Sequence, residues 1–108
     1  MAREIPAVSV FHAIADPTRR HLLELLGERD LTVQEMADRF DVTLSAISQH
    51  LRVLRFASLV VEERQGRHRL YRLNPDALVE LQQWAQRSVE TFWNRKLTAL
   101  GNELRRRR

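Results

Sequence analysis

The chain has 108 residues, of which 44% are apolar and 30% are charged, and this composition is typical of one folded domain. It contains no cysteine, which excludes a disulfide framework, a thiol nucleophile and a cysteine-bound metal. The apolar runs are far shorter than a bilayer span, and the first residues lack the pattern of a signal peptide. We therefore expect a cytoplasmic protein with no membrane association.

The positive charge is concentrated in the middle of the chain and at its end. Residues 42–73 contain six arginines and two glutamates, and residues 105–108 are four more arginines, although the net charge is only +4. Seventeen of the eighteen basic residues are arginine, whose planar guanidinium suits phosphate and guanine. Such a segment is typical either of a nucleic-acid-binding face or of a solvated charged surface, and charge alone does not separate the two.

The first part of the chain predicts two helices. Apolar residues at helical spacing predict an amphipathic helix over residues 5–14, and its apolar positions are Ile5, Val8, Phe11 and Ile14. In the next segment Asp16 is placed to cap a second helix, Pro17 to begin it, and Gly27 to end it in a left-handed turn.

Residues 32–56 predict two helices separated by a short turn, which is the spacing of a helix-turn-helix. Thr32 and Glu35 have the spacing of a reciprocal capping box, and Thr43 is placed to cap the next helix. In that next helix, three aliphatic residues fall within about 60° of one another on a helical wheel and are predicted to be core: Ile47, Leu51 and Leu54.

The opposite side of that helix carries side chains able to enter a major groove and bond to base edges or phosphates: Ser45, Ser48, Gln49 and Arg52. The alternative is an ordinary solvated face, although such faces usually carry more Glu and Lys. His50 lies at the edge of the apolar stripe, where it either reaches a phosphate or packs against the preceding helix.

The segment “VVEERQGRHRLYRL” alternates in the manner of strands and predicts a β-hairpin within residues 59–73, with Gly66 at its tip. Arg64, Arg67 and His68 surround the tip, from which they can reach phosphates or a minor groove. A charged edge that discourages aggregation is the alternative. Because the hairpin directly follows the helix with the polar face, we favour the nucleic-acid role.

A long final helix is predicted over residues 75–100, with Asn74 as its cap and Pro75 in its first turn. Its apolar side chains form a stripe too long for one small domain to cover: Leu81, Ala85, Val89, Phe92 and Leu97. We therefore expect a homodimer, with Val8 and Phe11 of the first helix also in the interface. The alternative is that this helix packs within the monomer, and Trp84 lies near enough to the rest of the domain to do so. Both tryptophans are expected within the stripe, which argues against base stacking.

This order of elements resembles the winged helix-turn-helix repressors of the ArsR/SmtB family. The resemblance covers about residues 8–100 and rests on “FHAIADPTRRHLLELL”, “SAISQHLRVLR” and “GRHRLYRL”. It implies a mostly α-helical fold with a small β-hairpin, dimerising through the first and last helices, as one domain over residues 1–104 with a basic tail at 105–108.

By the same resemblance, the chain would be a homodimeric transcriptional repressor that binds an inverted-repeat operator in double-stranded DNA. The helix over residues 44–56 would enter the major groove, and the wing over residues 60–73 would contact the backbone or minor groove. Carried over by position, the resemblance assigns DNA contacts to Thr43, Ser45, Ser48, Gln49, His50, Arg52, Arg64, Arg67 and His68.

The chain departs from the metal-sensing members of that family. The segment “LTVQEMADRF” lacks their cysteine, and the last helix has acidic residues but no histidine. We therefore expect a member of a metal-independent branch, with no metal site and no cofactor. The sequence does not identify an effector.

Where relatives have glycine, this chain has Ser58, at a cost of about 1 kcal/mol if that residue is left-handed. Phe56 replaces a polar residue and would be an exposed contact for a partner or ligand.

Other function classes find less support in the sequence. There is no G-x-S-x-G turn and no P-loop, and Glu62 and Glu63 on one strand point to opposite faces, so we predict no catalytic residues and no enzymatic activity. The alternative to a DNA-binding regulator is a winged helix that binds protein or RNA.

Overall fold

A computed structural model describes residues 8–107 of the chain, which fold into five helices and three short strands. The elements in order are α1 (Val10–Ala13), α2 (Pro17–Glu28), β1 (Leu31–Thr32), α3 (Val33–Arg39), α4 (Leu44–Phe56), β2 (Val60–Gln65), β3 (His68–Leu73) and α5 (Pro75–Arg106). Of the described residues, those from 8 to 78 form one compact unit and those from 79 to 107 form a second. No helix within residues 8–107 is both long and apolar enough to cross a membrane.

The helices α2, α3 and α4 begin where the capping residues predict. Asp16 accepts a hydrogen bond from the Arg19 backbone N–H at 3.1 Å, and Thr43 accepts one from the Ala46 N–H at 3.1 Å. Thr32 and Glu35 form both bonds of the capping box, at 3.2 and 3.0 Å. Each bond satisfies an N–H that the first turn of a helix leaves without a partner.

The core of the first unit forms where the apolar faces of α2, α3 and α4 meet the sheet. Its fully buried large side chains are Leu22, Leu31, Met36, Ile47, Leu51, Leu54 and Leu59. The three residues predicted for the inner face of α4 are therefore buried, as expected. The mostly helical fold with a small antiparallel sheet is confirmed.

The sheet has three strands in the order β1-β3-β2, one more than the predicted hairpin. β2 and β3 pair in register from Val60 with Leu73 to Gln65 with His68, so Gly66 and Arg67 form a two-residue loop. Gly66 has φ +61°, the left-handed value that such a tight turn needs at its first central position. The additional strand, β1, pairs Leu31 with Tyr71. It was not predicted because two residues are too few to show the alternation of apolar and polar side chains that marks a strand.

The first helix differs from its prediction. α1 begins at Val10, and the Ser9 hydroxyl caps it by accepting a hydrogen bond from the Phe11 N–H at 3.2 Å. Val10 and Ala13 are buried, whereas Phe11 is exposed. The predicted helix over residues 5–14 is therefore wrong at residues 8 and 9, because the Ser9 cap begins the helix at Val10. The place of Phe11 in a dimer interface stays a prediction. Residues 5–7 of the prediction lie outside the described part of the chain.

Gly27 does not end α2 as predicted. The helix continues to Glu28, and its C-cap Arg29 has extended backbone with φ −166°. A Cβ on Gly27 would meet Leu73 Cδ2 at 3.9 Å, an ordinary contact distance. The extended residues after Glu28 lead directly into β1, so pairing in the sheet ends the helix without a left-handed residue.

The helix α5 is a continuous 32-residue helix that extends past the predicted end at residue 100. Arg105 and Arg106 lie in its last turn, where the negative end of the helix dipole stabilises cations. These two residues of the predicted basic tail are therefore part of the helix. Arg108 lies outside the described residues.

The apolar stripe of α5 is exposed in the single chain, at Val89, Phe92, Trp93, Leu97, Leu100 and Leu104. At 100° per residue these side chains fall within an arc of about 140°. Trp84 lies roughly 140° from Val89 on the same wheel, so the expectation that both tryptophans belong to the stripe is wrong for Trp84.

The helix α4 ends in a complete Schellman motif. The Ser58 N–H donates to the Arg55 carbonyl at 2.9 Å, and the Leu59 N–H donates to the Leu54 carbonyl at 3.0 Å. Leu54 and Leu59 are both fully buried, which supplies the apolar contact of the motif. Ser58 has φ +61°, the left-handed conformation expected at the position where relatives have glycine.

Replacing Ser58 by glycine should stabilise the protein. A left-handed residue with a Cβ costs roughly 1–2 kcal/mol, and the greater freedom of glycine in the unfolded chain offsets part of the gain. We expect Ser58→Gly to raise the free energy of unfolding by about 1 kcal/mol and the melting temperature by roughly 4–8 °C, measured by circular dichroism.

The matched control is Ser48→Gly within α4, which should lower the free energy of unfolding by about 0.5 kcal/mol. A lower melting temperature for Ser58→Gly than for the unmodified chain would show that residue 58 is not strained.

Candidate nucleic-acid interface

The polar face of α4 is solvent-exposed and is built opposite the buried stripe of that helix. Ser45, Ser48, Gln49 and Arg52 are all exposed, so the structure brings together the four side chains that the helical wheel selected. Thr43 is also exposed, but its hydroxyl oxygen is held at the start of α4 by the Ala46 N–H. The cap therefore fixes both the first turn of α4 and the position of the Thr43 hydroxyl beside this face.

His50 lies apart from the polar face. Its Nδ1 atom is 3.5 Å from Arg19 Nη1 and 3.9 Å from Asp16 Oδ2, and the side chain is about one quarter exposed. These partners belong to the start of α2, so His50 lies against α2 and not against α3, the helix that precedes α4.

The same cluster ties α1 to α2. Arg19 also donates hydrogen bonds to the Ala13 and His12 carbonyls at 2.6 and 3.2 Å. The hydrogen bond from the Arg19 backbone holds the pKa of Asp16 below its usual value, and the nearby charges of His50 and Arg19 act in the same direction. Asp16 is thereby kept as the anionic centre of the junction between α1, α2 and α4.

The six arginines of residues 42–73 fall into two groups. Three of them form ion pairs with carboxylates: Arg55 and Arg69 with Glu62 at 2.8 and 3.4 Å, and Arg72 with Asp30 and Glu63 at 3.1 Å each. Among residues 8–107, no carboxylate oxygen lies within 4.0 Å of the guanidinium groups of the other three: Arg52, Arg64 and Arg67. Of these six arginines, the ones without a carboxylate partner are therefore one residue of α4 and two of the hairpin.

The hairpin presents its three candidate residues in different directions. Arg64 is paired with Arg69 across the strands and so shares a face with Glu62 and Tyr71, the face turned toward α4. Arg67 lies in the tip, and His68 pairs with Gln65 on the opposite face. Arg64 therefore lies on the face of the hairpin that is turned toward α4, and His68 lies on the other face.

A groove of about 320 Å³ separates the polar face of α4 from the base of the hairpin. The side chains that line it are Val33, Ser45, Ser48, Gln49, Arg52, Arg55, Glu62, Arg69 and Tyr71. The sequence selected the α4 side of this groove but not Arg55, Glu62, Arg69 and Tyr71. The signal available was the strand alternation, which puts Glu62, Arg69 and Tyr71 on one face once the register is known.

The expected dimerisation residues have different environments in the single chain. Val8 and Leu81 are half-buried, whereas Phe11, Ala85, Val89, Phe92 and Leu97 are exposed. Phe56 is also exposed, as expected. In this part of the chain, residues 8–107, no three histidine, aspartate or glutamate side chains come together in a way that could hold a metal ion.

Comparisons with known proteins match this architecture. A family profile described as a helix-turn-helix domain matches residues 14–63, which run from the start of α2 into β2. The HTH-type transcriptional regulator Rv2034 of Mycobacterium tuberculosis is 40% identical over 88 residues, which are 82% of this chain and 78% of that protein. The transcriptional repressor SdpR of Bacillus subtilis is 38% identical over 76 residues, which cover 70% of this chain and 84% of that protein.

Solved structures give the same answer for the fold. An ArsR-like transcriptional regulator from Rhodococcus sp. RHA1 superimposes with a TM-score of 0.74 at 32% identity, covering 86% of this chain and 84% of its own. The proteins concerned are regulators of transcription. The chain belongs to the ArsR/SmtB family of winged helix-turn-helix, DNA-binding transcriptional regulators.

Proposed function

We propose that this regulator is a homodimeric repressor that binds an inverted-repeat operator, with α4 in the major groove and the hairpin on the backbone or in the minor groove. The observation that carries the proposal is the division of the central arginines. Arg52, Arg64 and Arg67 are without carboxylate partners among residues 8–107, and Arg52 lies on the exposed face of α4 that carries the serine and glutamine side chains. Acting on operator DNA, the protein would work in the cytoplasm.

Gln49 is the residue we propose for base recognition. It is exposed at the middle of the polar face of α4, and its amide can form two hydrogen bonds with adenine, a contact worth roughly 1–3 kcal/mol of discrimination. Ser45, Ser48 and Thr43 have short hydroxyl side chains that suit phosphates and base edges near the helix start. His50, with Asp16 and Arg19 beside it, is the weakest of the proposed contacts.

Arg64 and Arg67 are proposed to bind phosphates. They lie beside and within a two-residue turn whose glycine tolerates movement, and a mobile cation suits the backbone better than a fixed base edge. Arg52, which lines the groove from the side of α4, is proposed as a third phosphate contact.

The exposed stripe of α5 supports the homodimer. Six large apolar side chains share one arc of the helix and have exposed fractions from 43% to 61% in the single chain, and a patch of this size on a helix is typical of an association surface. A second copy of α5 is the occupant we propose, and two-fold symmetry would then match an operator with dyad symmetry.

We predict a dimer in solution, with twice the 12.7 kDa mass of one chain by light scattering at micromolar concentration. Leu97→Glu should dissociate it, because it places a charge within the apolar stripe. Thr98→Glu is the matched control, since residue 98 lies on the opposite side of α5 and should leave the dimer intact. Footprinting should protect two half-sites about one helical turn apart. A monomeric mass for the unmodified chain, or a footprint without a dyad, would contradict the proposal.

A second prediction separates α4 from the wing. Gln49→Ala should weaken binding to the operator and leave the affinity for scrambled DNA nearly unchanged, because it removes a base contact. Arg67→Ala should weaken both, and should reduce the slope of log affinity against log salt by about one unit. The measurement is a salt titration of each variant on both duplexes.

Arg72→Ala is the control for the wing, because its guanidinium is already paired with Asp30 and Glu63. It should leave the salt slope unchanged. If Arg67→Ala instead kept the full slope and lost only sequence preference, the wing would be reading bases, contrary to the assignment.

A third prediction concerns metals. We propose that no metal acts as inducer, since the chain has no cysteine and α5 has no histidine. Zinc, cadmium, nickel and arsenite should therefore not release the protein from its operator through a specific site, as measured by calorimetry and gel shift. Stoichiometric submicromolar binding of any of these that weakens the DNA complex would overturn the proposal.

A further inference from the structure

The carboxylate of Glu62 connects the end of α4 to both strands of the hairpin. Its Oε2 atom accepts hydrogen bonds from Arg55 Nη1 at 2.8 Å and from the Tyr71 hydroxyl at 3.0 Å, and its Oε1 atom is 3.4 Å from Arg69 Nε. Arg55 lies in the last turn of α4, Glu62 in β2, and Tyr71 and Arg69 in β3. One side chain therefore joins the proposed major-groove helix to the wing.

This connection is more enclosed than a surface ion pair. The Glu62 side chain is only 20% exposed, and Tyr71 is buried. Burial raises the pKa of Tyr71, and the hydrogen bond that its hydroxyl donates to Glu62 acts in the same direction. The hydroxyl therefore remains a donor at neutral pH, and a carboxylate with this set of donors is held in one orientation.

Glu62 is costly for a protein that binds a polyanion. It adds a negative charge to the wall of the groove beside Gln49 and Arg52, and it engages two arginines that would otherwise be available to phosphates. Electrostatics alone would favour its absence. The role of a carboxylate at this place must therefore be something other than raising the affinity for DNA of any sequence.

We propose that Glu62 is a positioning residue that fixes the angle between α4 and the wing, and thereby sets specificity for the operator. A strand of six residues spans roughly 20 Å, so a rotation of about 10° at its base moves the tip by roughly 3 Å. A displacement of that size exceeds the tolerance of a hydrogen bond. With the angle fixed, Gln49 can meet a base while Arg67 meets a phosphate of the same duplex.

Other contacts also hold the base of the wing in place. The base of the hairpin is held by the pairing of β1 with β3 and by Asn74, whose side-chain amide donates to the Ser58 carbonyl at 2.8 Å and whose backbone N–H donates to the Leu59 carbonyl at 2.8 Å. These bonds hold the base of the hairpin beside the residues that end α4, and Glu62 adds a side-chain link between the strands and the last turn of that helix.

The test compares Glu62→Ala with Glu63→Ala. The two changes remove the same charge from neighbouring positions, but Glu63 lies on the opposite face of β2 and pairs with Arg72. Affinity is measured for a duplex that the unmodified protein selects from a random-sequence pool, and for a scrambled duplex, with thermal melts of each variant. Glu63→Ala should tighten both complexes by the same small factor.

Glu62→Ala should tighten the scrambled complex, because Arg55 and Arg69 are released to phosphates, and should weaken the selected complex. We expect the ratio of the two affinities to fall about tenfold, which corresponds to about 1.4 kcal/mol. Arg55→Ala should also lower this ratio of affinities without changing the salt slope. If Glu62→Ala melts at a lower temperature than Glu63→Ala, the positioning role is judged from Arg55→Ala instead. A variant with both Glu62→Ala and Arg55→Ala should lose no more specificity than either single change, since each change removes the same link between α4 and the wing.

The inference rests on the proposed function, and the two fail in different ways. An unmodified protein that selects no duplex over scrambled DNA contradicts the proposed function. A normal selection by the unmodified protein, with Glu62→Ala changing both affinities by the same factor as Glu63→Ala, contradicts the positioning role alone. A reduced salt slope for Arg55→Ala would likewise show that Arg55 binds phosphate and is not a link to the wing.

Discussion

Burial of the apolar side of α4 is the constraint on which the rest of the structure depends. Ile47, Leu51 and Leu54 are fully buried, and burial of each side chain contributes roughly 1.5–3 kcal/mol. Turning α4 by one residue would expose them, a cost that the exposed polar contacts of the helix cannot offset. The direction in which Gln49 points is therefore decided by the core. The packing of Leu54 against Leu59 continues this constraint into the first strand of the wing.

The second organising feature is the distribution of charge among the central arginines. Exposed ion pairs contribute little to stability, so, apart from the proposed link between Arg55 and Glu62, these pairs matter chiefly for where positive charge is left available. The acidic residues of β2 neutralise the base of the wing, and its tip remains cationic. A regulator that must distinguish its operator from all other DNA gains from this arrangement, because general affinity for phosphates raises binding to every sequence alike.

Much of the fold follows from local signals that can be read directly from the chain. The capping residues Asp16, Thr32 and Thr43 act within their own first turns, and the hairpin depends on Gly66 and a two-residue loop. The predictions failed where a distant segment decides the outcome. The strand β1 exists because Tyr71 and Leu70 are available to pair with it, and α2 ends without using Gly27 because the chain is drawn into that sheet.

The same division holds for the candidate interface. The sequence by itself determined the polar face of α4 and the turn of the wing, because helix and strand periods and the backbone freedom of glycine act over a few residues. Only the tertiary structure decided which arginines are neutralised, that His50 lies against Asp16, and that Glu62 joins α4 to the wing. These contacts join residues whose separation along the chain carries no periodic signal, and they arise only once packing has brought their elements together.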